Sequence, residues 1–147
     1  MNQPRQLCTF YLHNLMFGVE VEKVQEVIRY QEMAKIPLAP AVIGGLINLR
    51  GQIVTAVDLR HQLDLPPREG GGFPMNVVIR REDGPISLLV DEIGDVVEVE
   101  EQLFEPAPDT LHSQGREFIR GVYKLKEQLL LLLDTEKTMT VMGTHAA

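Results

Sequence analysis

The sequence predicts a mainly β fold built from two copies of one unit of about five short strands. Three observations point there. The chain has 147 residues and is 44% hydrophobic, with no Trp and only 5% aromatics, so its core rests on Val, Ile and Leu. The β-branched Val and Ile favour strands, and 12 Gly and 9 Pro favour turns over a helical bundle. The two halves also share a pattern. Val21, Val24 and Val27 are matched by Val90, Ile93 and Val96 at an offset of 69, and Pro37 by Pro106 at the same offset. Gly45, Leu49, Ile53, Val57 and Asp58 are matched by Gly121, Leu125, Leu129, Leu133 and Asp134 at an offset of 76. The shared Pro, Gly and Asp mark backbone positions rather than generic apolarity. The change of offset implies an insertion in the second copy, placed at Asp109 to Glu117.

The elements follow in order. Leu7 to Leu12 and Leu15 to Val19 read as strands joined by a turn at Asn14. Val21, Val24 and Val27 are spaced by three, which suits a short helical turn. Ile36-Pro37-Leu38-Ala39-Pro40 is extended, because two prolines fix φ and remove donors. Gly44-Gly45 breaks the chain. Leu46 to Leu49 and Gln52 to Val57 are strands around a tight turn at Arg50-Gly51, and Asp58 caps a short helix towards Leu63. Pro66 to Pro74 is a linker or long loop. Asn76 to Arg80 and Ile86 to Val90 are strands around Glu82-Asp83-Gly84-Pro85. Leu125 to Leu133 is a strand pair or one long strand, and the tail from Met139 has no strong pattern. Five strands per copy is the scale of a small barrel, and two barrels must meet at a groove.

Charge and motifs exclude several functions. The net charge of −7 argues against nucleic acid, which needs a positive surface. The single Cys8 permits no internal disulfide and fits a reducing compartment. The N-terminus lacks a secretory signal, and the longest apolar run, Leu129 to Leu133, is far short of a membrane span, so a cytoplasmic chain with no direct membrane insertion is expected. His13, His61, His112 and His145 lack metal-ligand spacing, and no catalytic residue, metal or cofactor is expected. Cys8 and His13 point to opposite faces of a strand, so Cys8 reads as packing. The acidic stretch Asp91 to Glu101 lacks calcium-loop spacing and reads as a solvated face, while Gly70-Gly71-Gly72 lacks the Lys-Ser/Thr of a phosphate loop. Arg50 sits in a turn between apolar strands. It is either an ordinary solvated or ion-paired Arg, or a fixed fork of donors for a partner.

The string from Ile47 through Asn48-Leu49-Arg50-Gly51 to Val57-Asp58-Leu59-Arg60 resembles the core signature of the CheW family, the coupling proteins of bacterial chemosensory arrays. Lys23-Val24-Gln25-Glu26-Val27 and Leu89-Val90-Asp91 are similar to two further family segments, as are Phe104 to Pro108 and Phe118 to Val122. Thr55-Ala56 departs from the usual Pro and β-branched residue, and the tail is short. The resemblance covers residues 7–137 as one domain, with repeats at about 14–66 and about 75–135, the second joined by the N-terminal strand, and 138–147 as a tail. It implies two intertwined five-stranded SH3-like barrels and a non-enzymatic adaptor. The partners implied are methyl-accepting chemoreceptors and the regulatory domain of the histidine kinase CheA, at membrane-associated arrays. An alternative is an adaptor of a non-flagellar pathway, such as surface sensing, twitching motility or development. The resemblance places the receptor groove on Cys8, Val21, Val24, Val27 and Ile93, with Glu26 and Arg50 matching the family's functionally sensitive Glu and Arg. The kinase side is placed near Gly45 and Ile53.

Overall fold

A computed structural model describes residues 5–68, 73–107 and 117–138. The expected insertion at Asp109 to Glu117 lies outside the described residues except for its last residue. Gly70 to Gly72, His112, His145 and the tail from Met139 also lie outside them.

The first copy contributes β1 (Arg5–Leu12), β2 (Leu15–Glu20), a 3-10 turn (Val21–Lys23), β3 (Val24–Ile28), β4 (Ile43–Leu49), β5 (Gln52–Asp58) and α1 (Leu59–Gln62). The second contributes β6 (Met75–Ile79), β7 (Ile86–Val90), β8 (Glu92–Val99), β9 (Phe104–Glu105), β10 (Ile119–Lys124) and β11 (Leu129–Leu133). Residues 135–138 form a helical turn.

The strands sort into two sheets of matching topology, a first with order β3-β6-β7-β5-β4 and a second with order β8-β1-β2-β11-β10-β9. The offsets found in the sequence map each onto the other, down to register. Val27 pairs with Val77 as Val96 pairs with Cys8, and Thr55 pairs with Ile86 in parallel as Leu131 pairs with Phe17. The division of strands corrects the expectation that the first barrel is residues 14–66 and the second 75–135 with one added strand. Both β1 and β2 join the second sheet, and both β6 and β7 join the first. Each copy exchanges a complete hairpin, because β2 and β7 find their parallel partners only in the other copy.

Each sheet has its own small core. Ile28 of β3 and Ile47 of β4, from opposite edges of the first sheet, pack into one cluster with Val54 and Val78. In the second sheet, Val97 of the edge strand β8 packs with Tyr123 of β10, one strand in from the opposite edge, around Leu7, Leu130 and Leu132. Edges that meet over a shared core are those of a sheet curled into a small barrel. A larger cluster, with Phe10, Phe17 and Leu133 from one sheet and Val57 and Leu88 from the other, cements the two together.

Three local expectations are corrected. The helical turn spans only Val21–Lys23, and Val24 and Val27 lie on β3. The spacing of three arises from a β-bulge between Val24 and Glu26, where the extra residue keeps Val24 and Val27 on one face. The equivalent bulge in β8 gives Ile93 and Val96 the same spacing. Gly44-Gly45 does not break the chain but sits inside β4 at another bulge. A Cβ on Gly45 would lie 2.9 Å from the Ala34 carbonyl oxygen, whose strand segment bridges to Leu46. The Leu125 to Leu133 region is a tight return: Leu125 N–H donates to the Gln128 carbonyl at 2.9 Å, and only Leu129–Leu133 is strand.

The caps follow the repeat. Asp58 Oδ1 accepts from the His61 N–H at 3.3 Å, and Asp134 Oδ1 from the Lys137 N–H at 3.0 Å. The two helical turns touch, with Gln62 Nε2 donating to the Thr138 carbonyl at 3.3 Å. Thr138 is fully buried, so the packed unit extends one residue past the boundary expected at 137.

Gly121, the repeat mate of Gly45, is closed over by the Phe104 ring and the Glu105 carbonyl. Gly45→Ala and Gly121→Ala are each expected to cost about 1–3 kcal/mol, since backbone on both sides cannot step aside. Urea unfolding of the two variants measures this, and unchanged midpoints would show that the strands have room to move.

Candidate partner-binding surface

The hairpin between β4 and β5 turns on Arg50 and Gly51, both with positive φ (54° and 86°). This is the type I′ geometry that matches the twist of two paired strands, and Gly at its second position makes it accessible. Asn48 Oδ1 accepts from the Gly51 N–H at 2.8 Å and holds the turn. The turn carries the Arg50 guanidinium to Glu26 on β3. Nη1 donates to Oε2 at 2.8 Å and Nη2 to Oε1 at 2.5 Å. The fork closes across the two edges of the first sheet, β3 and β4. Of the two readings of Arg50, the ion pair is realised, yet 73% of its side chain remains exposed against 18% for Glu26. The hydrogen bonds from Arg50 hold the Glu26 carboxyl below its ordinary value. Solvent competes for so exposed a pair, so it fixes the position of Arg50 more than it stabilises the fold.

Beside the fork, Val21, Val24 and Val27 are all half-buried. Val24 and Ile93 pack from the two sheets against the same buried cluster. Cys8 is half-buried and lies opposite Val96, and burial pushes its thiol pKa up. A raised thiol is a poor nucleophile, in keeping with packing. Val96 is 55% exposed and completes this apolar strip. It was visible in the sequence as the repeat mate of Val27, but no motif marked it as a site residue.

The two positions assigned to the kinase differ sharply. Ile53 is 63% exposed on β5, as is its repeat mate Leu129 at 49%. Gly45 is buried beneath Ala34 and offers no side chain, so its part is to let two backbone segments approach.

The acidic stretch divides into two. Most of it lies on β8, where Glu92, Asp95 and Glu98 are exposed. Asp91, at the bend before β8, is instead surrounded by donors. Arg60 donates to it through Nε at 3.0 Å and Nη2 at 2.5 Å, Arg68 through Nη2 at 2.7 Å, and the His13 backbone N–H at 2.8 Å. Burial pushes the Asp91 carboxyl up, but the bonds from Arg60, His13 and Arg68 outweigh it and bring it to about 2. A cleft of about 390 Å³ opens beside this node, walled by Pro66, Pro67 and Phe73. Among the described residues, no group of three or more His, Cys, Asp or Glu is placed to hold a metal ion. No helix among them is long and apolar enough to cross a membrane.

The paired barrels, with their apolar strip and Glu26–Arg50 fork, can be set beside known proteins. The CheW-like domain family matches residues 6–141. This chain belongs to that family. The CheW-like relatives include the chemotaxis protein CheW of Treponema pallidum, 30% identical over 141 residues, covering 90% of this chain and 80% of that protein. The chemotaxis protein CheW of Klebsiella aerogenes is 30% identical over 139 residues, covering 92% and 82%. The crystal structure of the scaffolding protein TtCheW from Thermoanaerobacter tengcongensis superposes with a TM-score of 0.79 at 25% identity, covering 89% of each chain. The SH3-like barrel pair expected from the CheW resemblance agrees with that structure and with the two sheets described above.

Two titrations check the electrostatics. The Glu26 carboxyl, followed by NMR, should titrate below its ordinary value and return towards it in Arg50→Ala; an unmoved Glu26 would mean the fork is open in solution. For Asp91, the folded value near 2 lies below the ordinary 3.8. Its contribution to stability is therefore full above the ordinary value and lost as pH falls towards the folded one. The stability gap between wild type and Asp91→Asn, read from urea unfolding at a series of pH values, should shrink over that window.

Proposed function

We propose that this chain is a non-catalytic adaptor that couples chemoreceptors to the histidine kinase CheA. The observation that carries the reading is the strip of half-buried Val21, Val24, Val27, Cys8 and Ile93 where the sheets meet. These side chains are apolar, yet none is fully covered by the chain itself. Such a strip suits the apolar face of an amphipathic helix, which lays residues spaced by three and four into a groove. A receptor tip made of helices is a partner of that shape. Glu26 and Arg50 border the strip, with the exposed guanidinium fixed as a directional donor for polar groups flanking the helix. Family membership and the likeness to the scaffolding protein TtCheW of Thermoanaerobacter tengcongensis support the same reading.

The kinase is assigned to the first sheet around Ile53, an exposed β-strand residue suited to packing against another barrel. Receptor and kinase then occupy separate surfaces, as an adaptor requires.

The test is co-sedimentation of purified protein with receptor-containing membranes and CheA at micromolar concentration. The protein should pellet with both. Absence of binding to either partner removes this reading. Val27→Asp is expected to weaken receptor binding by at least tenfold, because a charge would be buried without a partner at about 2 kcal/mol or more. It should leave circular dichroism and kinase binding in place. Global unfolding of this variant would assign Val27 to the core instead.

A further inference from the structure

Among the described strands, the chain passes from one sheet to the other only twice. It leaves β2 for β3 through Val21–Lys23, and leaves β7 for β8 through Asp91. The two crossings are repeat mates, since Glu22 and Asp91 differ by the same offset of 69 that relates Val24 to Ile93. The residues assigned to the helix groove straddle these crossings. Val24 follows the first and Ile93 the second, and both lean on the cluster shared by the sheets.

The crossings are fastened differently. At the first, Lys23 pairs with Glu20 at the end of β2 at 3.0 Å, and Arg120 of β10 lies 3.7 Å from the same carboxylate. The Lys23 carbonyl accepts from the Arg80 N–H at 2.9 Å, and each of these contacts stays within one sheet or the turn beside it. At the second, one residue gathers distant segments. The Asp91 backbone N–H donates to the Tyr11 carbonyl at 3.0 Å, binding it to the end of β1. Its carboxylate holds the His13 N–H in the β1–β2 turn, Arg60 on α1 and Arg68 beyond α1. The β1–β2 turn belongs to the second sheet, whereas α1 continues from β5 of the first. One carboxylate thus bolts a hairpin of one sheet to the helix of the other.

We infer that Asp91 is a positioning residue for the helix groove: it sets the second sheet, and with it Ile93, against Val24 and Val27 of the first, without touching the partner. This deepens the proposed receptor site and rests on that reading for its functional consequence. The physical reason is the composite groove. A site whose halves sit on two sheets depends on their mutual angle, while a site within one sheet, such as the surface around Ile53, does not. Bonds to an ionised carboxylate are among the strongest in a protein, so their loss permits the sheets to shift without unfolding either.

The experiment uses the full chain with Asp91→Asn, Asp91→Glu and Arg60→Lys. Binding to a receptor cytoplasmic fragment and to the kinase regulatory domain is measured in parallel by titration calorimetry. Spin labels on exposed Gln25 of β3 and Glu98 of β8, in a Cys8→Ser background, report the inter-sheet distance without any partner. Asp91→Asn should weaken receptor binding about tenfold, in the range seen when a coupling network is cut, and leave kinase binding within about twofold. The spin-label distance distribution should broaden. Asp91→Glu should recover part of both effects, and Arg60→Lys should reproduce them more weakly. Equal loss of both partners with a lowered melting temperature in all three variants would reduce Asp91 to a fold residue and overturn the inference. So would an unchanged distance distribution in Asp91→Asn. If wild type binds no receptor while the distances still broaden, the receptor reading fails and the bracing role of Asp91 stands.

Discussion

Neither sheet of this molecule can be completed from one half of the chain. Each takes two strands from one copy of the repeat and its three other repeat-matched strands from the other, joined by a parallel pair between β2 and β11 or between β7 and β5. That exchange is the constraint from which the rest follows. It forces one face of each sheet towards the other, and the largest apolar cluster forms there. It also forces the chain through two short crossings, and these place Val24 and Ile93 at the seam. A groove between two separately folded barrels could open freely. Here its walls are tied by strands that belong to the opposite copy.

Much of this was legible in the sequence because the repeat is written in residues that constrain the backbone. Gly45 and Gly121 hold equivalent bulges, and Asp58 and Asp134 cap equivalent helical turns. The exchange of hairpins was not legible. Strand pairing depends on contacts between residues far apart in sequence, and both copies carry apolar alternation that suits either partner. Spacing misled at Val21, Val24 and Val27 because a bulge inserts one residue into a period of two and imitates a period of three. Gly44-Gly45 misled for a related reason. Glycine marks a chain break and a tightly packed strand alike, and only the approach of Ala34 tells them apart.

The candidate site divides along the same line. Val24, Val27, Glu26 and Arg50 stood in short contiguous motifs, whereas Cys8, Val21 and Ile93 came only from the family resemblance. The Glu26–Arg50 pairing itself, across 24 residues, had no local signal. Asp91 and Arg60 also stood in motifs, but their pairing spans 31 residues and had no local signal. Val96 carried a signal in the repeat, as the mate of Val27, yet its exposure follows from the packing of β8 at the sheet edge.

The two halves share a backbone, and their differences are therefore informative. The repeat places Asp95 and Lys126 where the first copy has Glu26 and Arg50. No ion pair joins them. The reason lies in the turn. Arg50-Gly51 adopts positive φ at both residues, whereas neither Lys126 nor Glu127 does. Without glycine, the second turn does not take the left-handed pair of conformations that aims the first cation at the neighbouring edge. Lysine also lacks the planar fork that lets Arg50 grip both carboxylate oxygens. The first sheet therefore has an ion-pair latch between β3 and the β4–β5 turn that the second lacks between β8 and the β10–β11 turn. A scaffold with two equivalent surfaces would not distinguish its partners. Replacing one Gly and one Arg makes the surfaces different while leaving the strands that carry them unchanged.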